Sequence, residues 1–153
     1  MRETLSIMPQ TYAAQFVHCV FSTKHRRDTI PPTLQNNLYA YLRGIAKNLN
    51  LELLAAGGTT NHVHLLIGLP SKMSLAEAVQ KLKANSSRWL GEQGIEFESQ
   101  GYGAFSVSPS LLTVVQTYIR NQERHHQQRS FDEEFLSLLR KSGIARDPAH
   151  GFN

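Results

Sequence analysis

The residues from His62 to Leu69, HVHLLIGL, decide the fold, because they form an apolar strand that carries two histidines. Pro70 follows and ends the strand, since proline cannot donate a hydrogen bond within a sheet. Successive side chains of a strand point to opposite faces. His62 and His64 therefore share one face, while Val63 and the apolar residues that alternate with the histidines point to the other face, into the core.

Other predicted elements precede this strand. The segment Thr11–Thr23 is rich in β-branched and aromatic residues, which predicts a first strand. Two prolines suit the first turn of a helix, and apolar residues at helical spacing extend that helix over Pro31–Asn50. Leu51–Ala56 predicts a second strand, and the glycine-rich run Gly57–Asn61 predicts the turn that leads into the histidine strand.

Further helices and one more strand follow the histidine strand. Ser74 and Glu77 have the spacing of a capping box, in which Glu77 returns to the backbone of Ser74, and the helix that they begin ends near Gly91. A fourth strand is predicted at Tyr102–Val107. One long helix, which could project toward a partner, follows at Pro109–Gln127, and a short amphipathic helix at Phe131–Leu139.

The order strand, helix, strand, strand, helix, strand predicts an α+β fold of the ferredoxin-like, split β-α-β type. We expect an antiparallel sheet with helices on one face and an added C-terminal helix that carries Tyr118. Residues 1–144 are predicted to form one domain, and residues 145–153 a loosely ordered tail.

Composition narrows the class of protein. The 153 residues are 41% hydrophobic and 18% charged, a globular composition that argues against an intrinsically disordered chain. Lys and Arg exceed Asp and Glu by 16 to 12, a net charge of +4 that permits a polyanionic partner without demanding one. We expect no membrane span. We also expect a cytoplasmic location, because the lone Cys19 fits a reducing compartment. We interpret Cys19 and the neighbouring His18 as structural.

Two groups of polar residues could carry chemistry. Two imidazoles on one face of a strand can form half of a metal site, although two histidines on a polar sheet face are equally expected. Tyr118 and Gln122 are four residues apart, so they project from the same face of the predicted helix, and His125 and His126 follow one turn later. The helix becomes polar after Ile119, so the Tyr118 ring could pack on apolar atoms while its hydroxyl faces a polar site.

These residues carry a resemblance to a known family. The runs Asn61–Leu66 and Tyr118–Gln122, with His125 and His126 behind them, resemble the single-tyrosine HUH transposases of small bacterial insertion sequences, in which HUH denotes His, hydrophobic, His. The resemblance extends from Tyr12 to about Gly143 and includes three further runs, Ser87–Trp89, Gly101–Ser108 and Phe131–Phe135.

The resemblance implies a mechanism. Mg²⁺ or Mn²⁺ would bind His62, His64 and Gln122, and Tyr118 would attack a DNA phosphate to give a 5′-phosphotyrosine and a free 3′-hydroxyl. The implied substrate is single-stranded DNA with a hairpin, and the implied assembly is a homodimer, whose active sites could form within one subunit or across two. Many relatives have an aspartate where this chain has Asn61, which removes a negative charge beside the metal.

Basic side chains could contact the DNA backbone, although each could equally be an ordinary solvated charge. The candidates are Lys24, Arg26, Arg27, Lys81, Arg88, Arg120 and Arg124. Two other classes of function stay open: a non-catalytic or domesticated nucleic-acid-binding module, and a metal-dependent phosphohydrolase that uses water in place of Tyr118. The aromatic signature of RNA-recognition sheets is missing from the third strand, which carries histidines instead.

Overall fold

The computed structural model describes residues 12–99 and 101–144, and its elements follow the predicted order of strands and helices. This part of the chain forms four strands and five α-helices. The strands are β1 (Phe16–Ser22), β2 (Glu52–Gly58), β3 (His62–Gly68) and β4 (Gly103–Val107). The helices are α1 (Pro32–Asn48), α2 (Leu75–Glu92), α3 (Leu112–Arg120), α4 (Gln122–His126) and α5 (Phe131–Lys141).

The four strands form one antiparallel sheet in the order β2-β3-β1-β4. β1 and β2, which α1 connects, lie on either side of β3, so a strand separates the two strands of the β-α-β unit. Val20 of β1 lies opposite His64 of β3, and His18 lies opposite Phe105 of β4. Paired residues share a sheet face, so these four side chains lie on one face. The predicted α+β class with an antiparallel sheet is confirmed.

Helices cover both faces of the sheet. On one face, Phe21 of β1 and Leu65 of β3 pack with α1 and α2 in the main core, and the core position of Leu65 was predicted. On the opposite face, Ile119 of α3 packs on Leu66, and α5 packs on Val20. The C-terminal part of the chain therefore covers the sheet face that carries the histidines.

Two predicted strand boundaries are wrong. β1 begins at Phe16, because residues 12–15 form no strand, and Thr11 lies outside the described residues. β2 continues through Gly57 and Gly58, which were predicted to form a turn. Both glycines pair with β3, so only three residues remain for the turn between the two strands.

The single long helix predicted over Pro109–Gln127 is also wrong. A 3₁₀ turn precedes α3, and Asn121 leaves the helical conformation between α3 and α4, with φ −99° and ψ 23°. The Asn121 N–H bonds the carbonyls of both Thr117 and Tyr118, which closes the end of α3. The break has a physical cause: the apolar stripe that holds α3 on the sheet ends at Ile119, and asparagine favours helix ends over helix interiors.

Side-chain caps fix the start of two helices. Ser74 Oγ accepts the Glu77 N–H at 3.1 Å, but the Glu77 carboxylate pairs with Lys81 at 3.1 Å, so only half of the predicted capping box forms. A complete capping box begins α5, where Ser130 and Glu133 satisfy each other's backbone N–H groups. This second box fixes the position at which α5 starts, and therefore which residues face the sheet.

The described part of the chain ends shortly after α5. Gly143 adopts a φ of +71°, the left-handed conformation that commonly closes a helix. The predicted tail over 145–153 lies outside the described residues. Within the described ranges, every helix is too short or too polar to cross a lipid bilayer.

Candidate functional site

Two histidines of β3 form the floor of the candidate site. His62 and His64 are fully buried, and their ring centroids are 5.0 Å apart on the same sheet face. Val63, which lies between them, packs into the main core on the other face. The alternation predicted from the sequence therefore places both imidazoles under the C-terminal helices rather than in solvent.

A glycine on β2 lets α3 reach this face. A Cβ at Gly57 would collide with the carbonyl oxygen of Ile119, so the end of α3 can lie directly on β2 only because residue 57 has no side chain. Ile119 is buried and packs on Leu66. The residue before it, Tyr118, is half-buried, with its ring centroid 5.9 Å from that of His64.

The break after α3 brings Gln122 into the same cluster. Gln122 is buried, and its Nε2 donates to Oε2 of Glu134 at 2.9 Å. That bond orients the amide, so Oε1 of Gln122 faces Nε2 of His62 at 2.8 Å and Nε2 of His126 at 3.1 Å. The predicted i, i+4 pair of Tyr118 and Gln122 is thus brought to the histidines by a break, not by a continuous helix.

A carboxylate from α5 lies at the centre of the cluster. Glu134 is 3% exposed, and its Oε1 lies 3.0 Å from Nε2 of His64 and 3.1 Å from Nε2 of His126. Its Oε2 accepts a hydrogen bond from the hydroxyl of Tyr118. The same chain therefore brings together the tyrosine, both histidines of β3, the glutamine and this glutamate.

Outer contacts orient the two histidine rings of β3. His18 Nε2 lies 2.7 Å from His64 Nδ1, and Asn61 Oδ1 lies 2.7 Å from His62 Nδ1. Asn61 Nδ2 in turn donates to the Arg26 carbonyl at 3.4 Å. Both Nε2 atoms are thereby turned toward Glu134 and Gln122, as is typical of histidines that bind a metal. His18 is buried, as a structural residue would be, but it also contacts the site.

Burial and hydrogen bonds set the protonation of the cluster. Burial lowers the pKa of His62 to about 3 and also lowers the pKa of His64. Burial alone would raise the pKa of Glu134, but hydrogen bonds from His126 and His64 outweigh it and hold that pKa well below its usual range. Burial and the bond to Glu134 raise the pKa of Tyr118. Near neutral pH the β3 imidazoles are neutral, the carboxyl is ionised and the phenol is protonated.

The donor set fits a divalent cation. A neutral imidazole has one N–H, yet both nitrogens of His62 face acceptor oxygens, from Asn61 and Gln122. When Nδ1 donates to Asn61, the Nε2 lone pair faces the Oε1 lone pair of Gln122, and a cation between the two atoms satisfies both. Carbonyl and carboxylate oxygens suit Mg²⁺ and Mn²⁺, and neutral imidazole is a common metal ligand.

The basic residues predicted to bind phosphate are spread over several surfaces. Four of them contact other side chains of the described chain: Lys24 with Glu98, Arg26 with Asp132, Lys81 with Glu77, and Arg88 with Asn85. Arg27 is exposed. Arg120 and Arg124 are exposed beside the break that positions Gln122, and they line a cleft with Gly58.

No role was predicted for His126 or Glu134 from the sequence. A signal for Glu134 was present: Phe131, Glu134, Phe135 and Leu138 follow the i, i+3, i+4, i+7 spacing of one helix face. A carboxylate within an apolar stripe must have partners that compensate its burial. The partners come from β3, α3 and α4, which are distant in sequence, so the pattern alone could not name them.

The sequence model of a family described as "Transposase IS200 like" matches residues 11–122. The chain belongs to this family of IS200-like transposases. The match covers more than half of the chain and includes both β3 histidines, Tyr118 and Gln122, but it ends before Glu134. Members of such a family catalyse DNA strand transfer, so the coarse function inferred from the sequence agrees with the match.

Individual transposases support the assignment. The chain is 30% identical over 114 residues to the transposase for insertion sequence element IS200 of Salmonella typhimurium, covering 69% of this chain and 74% of that protein. It is 26% identical over 114 residues to the ISDra2 transposase TnpA of Deinococcus radiodurans, covering 69% of this chain and 81% of that protein.

Two solved structures share the fold of this IS200-like transposase. A candidate transposase from Deinococcus radiodurans R1, at 27% identity, superposes with a TM-score of 0.58 and covers 74% of this chain and 95% of its own. A REP-associated tyrosine transposase bound to a REP hairpin superposes with a TM-score of 0.54 at 15% identity, covering 72% of this chain and 67% of its own. The second likeness concerns the fold alone.

Proposed function

We propose that this transposase cleaves and rejoins single-stranded DNA at hairpin-bearing ends, with Tyr118 as the nucleophile and a divalent cation bound by His62, His64 and Gln122. One observation carries the proposal. The hydroxyl of Tyr118, the Nε2 atoms of both β3 histidines and the amide nitrogen of Gln122 converge on the same buried carboxylate, Glu134, and the Gln122 amide oxygen lies beside Nε2 of His62. A nucleophile beside a cluster of metal-binding donors is the arrangement that this reaction needs.

The proposed cleavage step is a transesterification of a DNA phosphodiester. Oη of Tyr118 attacks the scissile phosphorus, a bond forms between them, and the bond from phosphorus to the 3′ oxygen breaks. The phenolic proton leaves along the hydrogen bond to Oε2 of Glu134, and the departing 3′ oxygen takes a proton from water. Bound Mg²⁺ or Mn²⁺ would polarise the phosphate and neutralise the charge that develops on it.

The products explain how strands can be rejoined. The reaction leaves a 5′-phosphotyrosine on the protein and a free 3′-hydroxyl on the DNA. A 3′-hydroxyl from a second strand can attack the phosphotyrosine and reverse the step, so joining needs no nucleotide cofactor. The energy of the broken bond is retained in the covalent intermediate.

The proposed substrate is single-stranded DNA with a hairpin. The REP-associated transposase of the same fold is bound to a REP hairpin, which supports a hairpin here as well. Arg120 and Arg124 are the basic residues best placed to hold the DNA backbone, because they lie beside the break between the helices of Tyr118 and Gln122.

We also propose that two copies act together, because exchange of two strand ends needs two tyrosines. Each copy would contribute a complete site. Tyr118 of the described chain contacts Glu134 of the same chain, and Glu134 contacts His64 of that chain, so the tyrosine need not cross to a partner. A homodimer of this kind would pair two sites rather than exchange helices.

Formation of a covalent adduct tests the proposal. The protein is mixed with Mg²⁺ and a pool of single-stranded hairpins with randomised flanks, then denatured in SDS and separated on a gel. We expect a protein–DNA band that Tyr118→Phe abolishes and that Tyr102→Phe, a change at an exposed tyrosine outside the site, retains. An adduct that survives in Tyr118→Phe would show that another residue is the nucleophile. Cleavage without an adduct would favour a phosphohydrolase, and binding without cleavage a non-catalytic module.

A further inference from the structure

A buried carboxylate that lies beyond the family match occupies the centre of the site. Glu134 comes from α5, whereas the match to IS200-like transposases ends at residue 122. α5 is held on the sheet by Phe131 and Phe135, which pack against Val20 and Phe105. The element that carries Glu134 is therefore anchored by its own apolar contacts and presents the carboxylate to the histidines.

The carboxylate of Glu134 is surrounded by imidazole nitrogens. Its ion-pair partners in the described part of the chain are His62, His64 and His126, at 3.7, 3.0 and 3.1 Å from Oε1. A buried carboxylate costs free energy unless its charge is compensated, and a divalent cation held among these donors would compensate it.

The spacing of the donor atoms matches a small octahedral coordination sphere. Ligands about 2.1 Å from a Mg²⁺ or Mn²⁺ ion lie about 3 Å from their neighbours in such a sphere. Nε2 of His64 lies 3.0 Å from Oε1 of Glu134, and Nε2 of His62 lies 2.8 Å from Oε1 of Gln122. The two pairs therefore have the separation of adjacent ligands before any side chain moves.

We propose that Glu134 is the anionic ligand of the metal site: Oε1 binds the cation beside His62, His64 and Gln122, while Oε2 holds the hydroxyl of Tyr118. This inference rests on the metal site of the proposed function. It assigns to α5 a negative charge that Asn61, the residue before His62, does not supply. One carboxylate then fixes the distance between the metal and the nucleophile.

Direct metal binding tests the inference without any DNA reaction. Mn²⁺ is titrated into the DNA-free protein by isothermal calorimetry, with the Mn²⁺ electron paramagnetic resonance signal as a second readout. We expect Glu134→Gln to weaken Mn²⁺ binding about tenfold or more, because the variant loses the only charged ligand. The matched control, Glu133→Gln, removes the same charge from the preceding residue, which is exposed. Glutamine can also take over the capping role of Glu133 at the start of α5. The control should bind Mn²⁺ as the unaltered protein does.

A loss of fold must be separated from a loss of ligand. Each protein is therefore compared with and without Mn²⁺. Mn²⁺ should raise the melting temperature of the unaltered protein and of Tyr118→Phe, and it should leave that of Glu134→Gln unchanged. If Glu134→Gln does not fold, Glu134→Asp keeps the charge on a shorter side chain and should bind Mn²⁺ with intermediate affinity.

The outcomes distinguish this inference from the proposed function. Equal Mn²⁺ affinity of Glu134→Gln and the unaltered protein would overturn the role of Glu134 and leave Tyr118 chemistry intact. Mn²⁺ binding that depends on Glu134, in a protein that forms no covalent DNA adduct, would support the metal ligand and contradict the strand-transfer proposal. Failure of the unaltered protein to bind Mn²⁺ would contradict both.

Discussion

The backbone carbonyl of Ile119 lies directly against Gly57, at a distance that leaves no room for a Cβ. This contact joins the end of α3 to β2 and sets where Tyr118 meets the histidine face. Glycine is needed here for close approach, because the backbone of β2 pairs normally with β3 at this point.

Gly57→Ala should therefore destabilise the protein by about 1–3 kcal/mol and reduce adduct formation more than its loss of stability explains. The added methyl group must displace α3, which moves Tyr118 away from His64. Urea unfolding and adduct yield measure the two effects. The control is Gly44→Ala, at a helical glycine with nothing within 4 Å of an added Cβ, which should stabilise by about 0.5–1 kcal/mol. Equal behaviour of the two variants would contradict the packing account.

Metal removal should stop cleavage without unfolding the protein. EDTA should abolish the adduct reversibly, and far-ultraviolet circular dichroism should be unchanged, because the main core lies on the opposite sheet face from the histidines. His62→Ala and His64→Ala should each abolish cleavage, and Gln122→Ala should reduce it less, since water can replace one neutral oxygen ligand. Full cleavage in EDTA would remove the basis of the proposed metal site.

Mixing two inactive variants should not restore cleavage. Tyr118→Phe lacks the nucleophile and His64→Ala lacks a metal ligand, and the structure brings Tyr118 and His64 to the same carboxylate within one chain. A heterodimer of the two would hold no complete site. The measurement is adduct yield after co-refolding, with differently tagged chains to prove that heterodimers form. Recovery of about half of the cleavage would show instead that the tyrosine acts across subunits.

The single cysteine should be unreactive until the protein unfolds. Cys19 is 1% exposed on the core face of β1, and burial raises its pKa to about 12. We expect almost no reaction with Ellman's reagent at about pH 8 in the folded protein and complete reaction in guanidinium chloride. Because the unfolded thiol ionises near pH 9.0 and the folded one near 12, the free energy of unfolding should also fall as pH rises above 9.0. Rapid labelling of the folded protein would contradict the burial.

Local patterns were sufficient to predict most of the elements and half of the site. Alternation on β3 gave the shared face of His62 and His64, and the polar boundary after Ile119 gave a half-buried Tyr118 with its hydroxyl in a polar site. Both predictions depend on neighbours within a few residues. The helix break at Asn121 was missed, because whether a helix continues there depends on what packs beneath it.

The remaining residues of the site depend on tertiary contacts. His18 contacts His64 across β1 and β3, and Glu134 contacts residues of three other elements, β3, α3 and α4. Neither contact was predicted, because neither follows from a local period, although the spacing of Phe131, Glu134 and Phe135 is present in the sequence. The wrong prediction of a turn at Gly57 has a similar cause. The missing side chain of Gly57 allows α3 to pack closely on β2, and this tertiary contact is not visible in the local sequence.

The central claim is that Tyr118 takes the 5′ phosphate and releases a 3′-hydroxyl, and strand polarity tests it most directly. A reactive hairpin strand is labelled separately at its 5′ end and its 3′ end, and each adduct is isolated after denaturation. We predict that the adduct carries only the 3′-end label, and that the released fragment carries the 5′-end label and a 3′-hydroxyl that a polymerase can extend. An adduct that carries the 5′-end label, or a released fragment that a polymerase cannot extend, would contradict the account.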